Sequence, residues 1–161
     1  MNKDLETILA SVAEKTLAEL AFIFSVSDDQ EPMPASAALV ASSVEFSGPF
    51  SGRLTLAVSA NMLSAIAANM LGIDEGDPRP LPDQQRDALK EMTNVVCGNL
   101  LPRLAGTQVV FKIEAPDLVE PEAIDGTGGQ RPVARTALML DAGRAEFALF
   151  INGEVPALTG R

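Results

Sequence analysis

Apolar residues along this chain recur with the period of a helix in some stretches and with the period of a strand in others. Over residues 3–22 they fall at Leu5, Ile8, Leu9, Val12, Leu17, Leu20 and Ala21 with charges between them, the spacing of an amphipathic helix. Pro and Asp in "SDDQEPMPAS" (27–36) break that pattern and predict a loop. In "ALVASSVEFSGPFSGRLTLAVS" (38–59), Leu54, Leu56 and Val58 alternate with Arg53, Thr55 and Ala57, as in a strand buried on one face. The "SGPFSG" within it has the composition of a hairpin connection, so two antiparallel strands are expected. Ser59 is placed to cap a helix over about 60–71, and Gly72 to end it. "IDEGDPRPLP" reads as a connector, after which Pro82 and Asp83 suit the opening of another helix.

After Pro102 the period returns to two. "TQVVFKIE" (107–114), "RTALMLD" (135–141) and "AEFALFI" (145–151) predict three strands, the last two joined by a tight "AGR" turn. The intervening "PDLVEPEAIDGTGGQRP" is too rich in Pro, Gly and acid to be regular, and residues 155–161 read as a tail. The order of helix, two strands, two helices and three strands predicts an α+β fold, an antiparallel sheet with long helices packed on one face. The whole chain, 1–161, is read as one domain.

The middle helix, "RDALKEMTNVVCGNLL" (86–101), has an apolar side built from Leu89, Met92, Val96 and Leu100. Asp87, Glu91 and Asn94 recur at i, i+4 and i+7 and fall within roughly 60° of one another on a different side. Two acids one turn apart repel by a few tenths of a kcal/mol. Asn in a helix interior costs roughly half a kcal/mol against Ala. Helix stability therefore does not select this row. Solvated faces tolerate such costs, so periodicity leaves open both an ordinary wet face and a site.

Composition narrows the chemistry. The chain has no His, Trp or Tyr and one cysteine, Cys97. That removes His-dependent triads and His-ligated zinc, and a lone cysteine forms no internal disulfide, which fits a reducing compartment. A net charge of −10 argues against nucleic acid and anionic membranes as partners. Charges at Lys3, Asp4, Glu6, Glu14, Lys15 and Glu19 interrupt any apolar run near the start. A cytoplasmic location is expected. Cys97 reads as a small core residue, since no base accompanies it, and Met62, Met70 and Met92 as core filling. "GTGG" (126–129) lacks the strand-to-helix setting and the Lys of a phosphate loop. Glu114, Asp117, Glu120 and Glu122 have no regular ligand spacing.

"DALKEMTNVVCGNLL" resembles the Asp/Ser-x3-Glu-x2-Asn signature of the CheC/CheX/FliY family of chemotaxis phosphatases, with Asp87, Glu91 and Asn94 in its three places. "FSGRLTLAVSANMLSAIAANMLG" (50–72) is similar to the strand, Gly-containing turn and Leu/Met-rich helix that precede the signature there, and Pro116 fits a later family proline. The resemblance implies phosphatase activity toward the aspartyl phosphate of a CheY-type response regulator. It implies that Asn94 positions the attacking water and that Glu91 docks on a lysine of the regulator. Asp87 takes part in partner binding or simply favours the helix start. Magnesium would be held by the partner receiver domain, and no metal or cofactor by this chain. In the first helix Leu17 stands where a second signature needs Asn after Ser11 and Glu14, and in the second helix Ile66 stands three residues before Asn69. One site per chain is therefore expected, as in the CheX-like branch, and with it a homodimer. Arg86, Lys90 and Arg103 either offset repulsion from an acidic partner or simply solubilise the helix.

Two other function classes remain compatible with the residues. One is a non-catalytic receiver-binding adaptor or flagellar-switch-like module. The other is a metal-dependent hydrolase with Asp87 and Glu91 as ligands, which lacks a His or a third clustered acid.

Overall fold

A computed structural model of the chain describes residues 2–23, 38–126, 128–140, 143–155 and 157–158. The first helix, α1 (Lys3–Ala21), starts where the Asn2 side-chain oxygen accepts the Leu5 N–H at 3.1 Å. It buries Leu5, Ile8, Leu9, Val12, Leu17 and Ala21, the stripe that the spacing predicts. It ends on Phe22 in the left-handed region (φ 54°), and the Asn69 amide donates to the Ala21 carbonyl at 2.6 Å. That bond satisfies one of the carbonyls that every helix end leaves without a partner. The loop expected over 27–36 lies outside the described residues.

Strands β1 (Leu39–Ser47) and β2 (Gly52–Ser59) form the predicted hairpin, with Val44 opposite Leu54. A short 3-10 turn (Ala60–Met62) leads into α2 (Leu63–Leu71), and α3 spans Pro82–Ala105. Then come β3 (Lys112–Ile113), β4 (Asp117–Val119), β5 (Ala134–Leu140) and β6 (Gly143–Ile151). The sheet runs β3-β1-β2-β6-β5, β4 also pairs with β1, and every pairing is antiparallel. Val44, Phe46, Leu54, Leu56, Val58, Phe147 and Leu149 point from one face of this sheet into a core shared with all three helices. This is the α+β arrangement read from the sequence. No helix among the described residues is long and apolar enough to cross a membrane.

The structure corrects several local expectations. Ser59 does not cap α2: its hydroxyl accepts the Arg144 N–H at 3.0 Å, because it is the last residue of β2 and sits beside β6. Gly72 does end α2, with φ 71° that a side chain adopts only at a cost. β2 is buried on both faces, not one. Thr55 and Ala57 are fully covered, Ala57 in a second small core with Ala41, Ala148, Phe150 and Ile124. Ile124 comes from the segment read as irregular, which holds β4 and a 3-10 turn (Pro121–Asp125).

The strand expected over 107–114 shrinks to two paired residues, since β4 takes Ala41–Ser43 of β1 and leaves β3 only Phe46 and Ser47. Phe111 instead turns inward, edge-on to Phe46 and Phe50 at 6.0 and 5.1 Å between ring centres. Leu140 of β5 lies opposite Gly143 of β6, so their connection comprises 141 and 142, which lie outside the described residues. Of the expected tail, Leu158 is half-buried against the main core.

Ile124 is the one residue of its 3-10 turn that is buried. Ile124→Ala is expected to lower unfolding free energy by about 2–4 kcal/mol, measured by urea denaturation. A change below half a kcal/mol shows that the second core contributes little.

Candidate functional site on the third helix

α3 is opened by Pro82 at its first turn, where a missing N–H costs nothing. The Gln84 side chain accepts the Leu81 N–H at 2.8 Å, and Arg86 pairs with Asp83 at 2.7 Å. Sequence inspection assigned the opening to Pro82 and Asp83 and missed Gln84, although a Gln at the third helical position is a known capping signal. Downstream, Leu89, Met92, Val96, Leu100 and Leu104 are fully buried against the sheet and the other helices. With one stripe pinned inward, helical geometry fixes what points outward.

The outward row is Asp87, Glu91 and Asn94: the two acids are exposed and Asn94 is half-buried. Asp87 is paired with Lys90 at 3.6 Å. Among the described residues, neither Glu91 nor Asn94 has a side-chain hydrogen-bond or ion-pair partner. Sidechains on successive turns stand about 5–6 Å apart at Cβ, so an anion and an amide are offered side by side. A carboxylate can only accept hydrogen bonds, whereas a carboxamide both donates and accepts. The pair can therefore hold a cationic group and orient a water at the same time.

Met70, expected as core filling, is only half-buried and borders this row together with Leu71, which the sequence did not single out. Met70 and Leu71 at the end of α2 form an open groove of about 330 Å³ with Gln84, Asp87, Ala88 and Glu91. Leu71 is 52% exposed there, a large apolar side chain beside charge. Gly98, the next rung after Asn94, is exposed as well. Its place is legible as i+11 from Asp87.

Other candidates are placed elsewhere. Leu17 and Ile66 are buried in the core, and Asn69 is committed to the Ala21 carbonyl. Neither α1 nor α2 thus presents an equivalent row. Arg103 lies with Asp4, Thr7 and Ile8 of α1, away from the row, so of the three cations only Lys90 and Arg86 stand near it, both held by neighbouring acids. Pro116 is half-buried just ahead of β4. No group of three or more His, Cys, Asp or Glu side chains suited to a metal occurs among the described residues. Cys97 is fully buried, and that burial pushes its thiol up to about 12.

An antiparallel sheet carrying three helices on one face, with a polar row on the central long helix, defines a CheC/CheX-like fold. A family model described as chemotaxis phosphatase CheX matches residues 40–137, a span that includes the row, and the chain belongs to that family. No significant match is found among functionally curated protein sequences. Among solved structures, chemotaxis protein CheX from Vibrio vulnificus superposes with a TM-score of 0.67 at 18% identity, over 92% of this chain and 96% of that one. CheX from Desulfovibrio desulfuricans gives 0.64 at 16% identity, over 92% and 99%. CheX from Borrelia burgdorferi, solved as a complex with CheY, BeF3 and Mg2+, gives 0.58 at 15% identity, over 91% and 97%. At these identities the structural likeness speaks for the fold.

Because Cys97 is fully buried and that burial pushes its thiol up to about 12, almost none of it is thiolate at pH 8. Native protein is expected to resist iodoacetamide at that pH and to react promptly once denatured, followed by mass spectrometry. Rapid labelling of the native protein would show the site open to solvent.

Proposed function

We propose that this protein is a CheX-type phosphatase that hydrolyses the aspartyl phosphate of a CheY-type receiver domain through Glu91 and Asn94. The observation that carries this reading is the pair itself: adjacent on the outward face of α3, unpartnered among the described residues, in a chain of the CheX family. Support for the partner comes from the B. burgdorferi relative, solved with CheY.

The reaction asks little covalent chemistry of the phosphatase. Water attacks phosphorus, the bond from phosphorus to the aspartyl oxygen breaks, and inorganic phosphate and a free carboxylate result. What the catalyst supplies is position. The Asn94 carboxamide accepts a hydrogen bond from the water and donates one to it or to a phosphoryl oxygen, holding it in line. Glu91 pairs with a lysine of the receiver and fixes how far along α3 the partner sits. Magnesium bound by the receiver neutralises the phosphoryl oxygens. Neither a thiol nor an imidazole is needed, in keeping with a buried Cys97 and a chain without His.

The test is the decay of a phosphorylated receiver from the same organism with and without this protein. Acceleration is expected. Asn94→Ala should lower the catalysed rate by about a hundredfold while leaving binding nearly intact. Glu91→Ala should act chiefly by raising KM. Binding without hydrolysis would identify an adaptor, and hydrolysis that survives Asn94→Ala would remove the assigned role.

A further inference from the structure

Two departures from good helix chemistry meet at one place on α3, Gly98 and Pro102, and internal packing does not call for the glycine. Gly98 is exposed one turn beyond Asn94, and a Cβ built on it meets no atom within 4 Å. It sits inside α3 with an ordinary helical backbone, so neither packing nor conformation demands glycine, one of the poorest helix formers. Four residues on, Pro102 lies within the same helix and has no N–H. The Gly98 carbonyl therefore lacks its ordinary helical donor. Leu101 and Leu104, both buried, hold the helix on course past the proline. The row thus ends in a patch where no side chain stands and a backbone acceptor is short of a donor.

We infer that a main-chain segment of the phosphorylated receiver crosses α3 at Gly98, one of its N–H groups donating to the Gly98 carbonyl, and that this close approach sets the phosphoryl group against Asn94. The inference rests on the role proposed above for Glu91 and Asn94. Gly98 is about 6 Å along the helix axis from Asn94, within the footprint of a partner that reaches the amide. A long side-chain donor can reach a carbonyl past a Cβ. A main chain cannot come as close, so a missing Cβ beside a carbonyl without its donor favours backbone against backbone. The patch is also uncharged, which suits contact with an acidic domain better than the acid-bearing turns before it.

Three variants test this: Gly98→Ala, Gly98→Gln and Pro102→Ala, each followed by thermal unfolding, by affinity for a receiver carrying Mg2+ and BeF3, and by turnover of phosphorylated receiver. The melting temperature is expected to hold or rise in all three. Affinity is expected to fall about tenfold in Gly98→Gln and several-fold in Pro102→Ala, whose restored N–H occupies the carbonyl. In both, KM should rise more than kcat falls, the reverse of Asn94→Ala. Gly98→Gln binding within twofold of wild type, with Asn94→Ala still about a hundredfold slower, overturns the crossing and leaves the proposed function standing. A drop in melting temperature for Gly98→Ala also overturns it, by showing that the glycine serves the fold. Wild-type protein that neither binds nor hydrolyses removes the proposed function and the crossing together.

Discussion

The buried stripe of α3 is the constraint on which the rest of the molecule turns. Leu89, Met92, Val96, Leu100 and Leu104 are fully covered by the sheet and the flanking helices. Each such side chain contributes about 1.5–3 kcal/mol by leaving water. Once they are seated, the helix cannot rotate without exposing them, so the row on its far side is fixed in direction over a length of about 16 Å from Asp87 to Gly98. A rigid element holds Glu91 and Asn94 in mutual register more tightly than a loop would. The reaction proposed for this pair is governed by position and would require that register.

Electrostatics then sort the row. The chain carries ten more acids than bases, an unfavourable start for meeting any acidic partner. Near the row, however, Asp83 is answered by Arg86 and Asp87 by Lys90. These exposed pairs add little stability. Their effect is to leave Glu91 as the carboxylate of the row without a partner cation among the described residues. A cationic group approaching this face would meet that carboxylate one turn from Asn94. The apolar edge at Met70 and Leu71 gives the same face a dry border.

Much of this was legible because it follows from periodicity. The stripes of α1 and α3, the β1–β2 hairpin and the paired strands β5 and β6 each span enough residues for a period to declare itself. The row on α3 was legible for the same reason, as three positions on one face. Short elements were not. β4 has three residues and β3 two, and both depend on sharing the outer edge of β1, a tertiary fact. Ile124 looked like part of a loop because Pro121 and nearby acids dominate its surroundings, yet its burial covers the back of the sheet. Ser59 has the chemistry of a cap, and only the approach of β6 diverts its hydroxyl. The return to a strand period was placed after Pro102, but buried Leu104 carries α3 on to Ala105.

The presence of Pro102 inside α3 bears on how the helix can serve both stability and contact. A Pro in a helix interior costs up to about 3 kcal/mol and a Gly about 1 kcal/mol relative to Ala. Isolated in water, a segment with both, and with two acids and an Asn on one face, would form little helix. Packing on the inward side changes the balance, because the stripe that stabilises α3 does not involve the residues of the outward row. The two faces are separable in chemistry and joined only through the backbone. The outward face is therefore free to carry residues that no helix would select for its own sake, and its unfavourable residues lie where a partner can compensate them. In the reading proposed above, Glu91 would gain a cation, Asn94 a water, and the Gly98 carbonyl a donor, each from outside the chain.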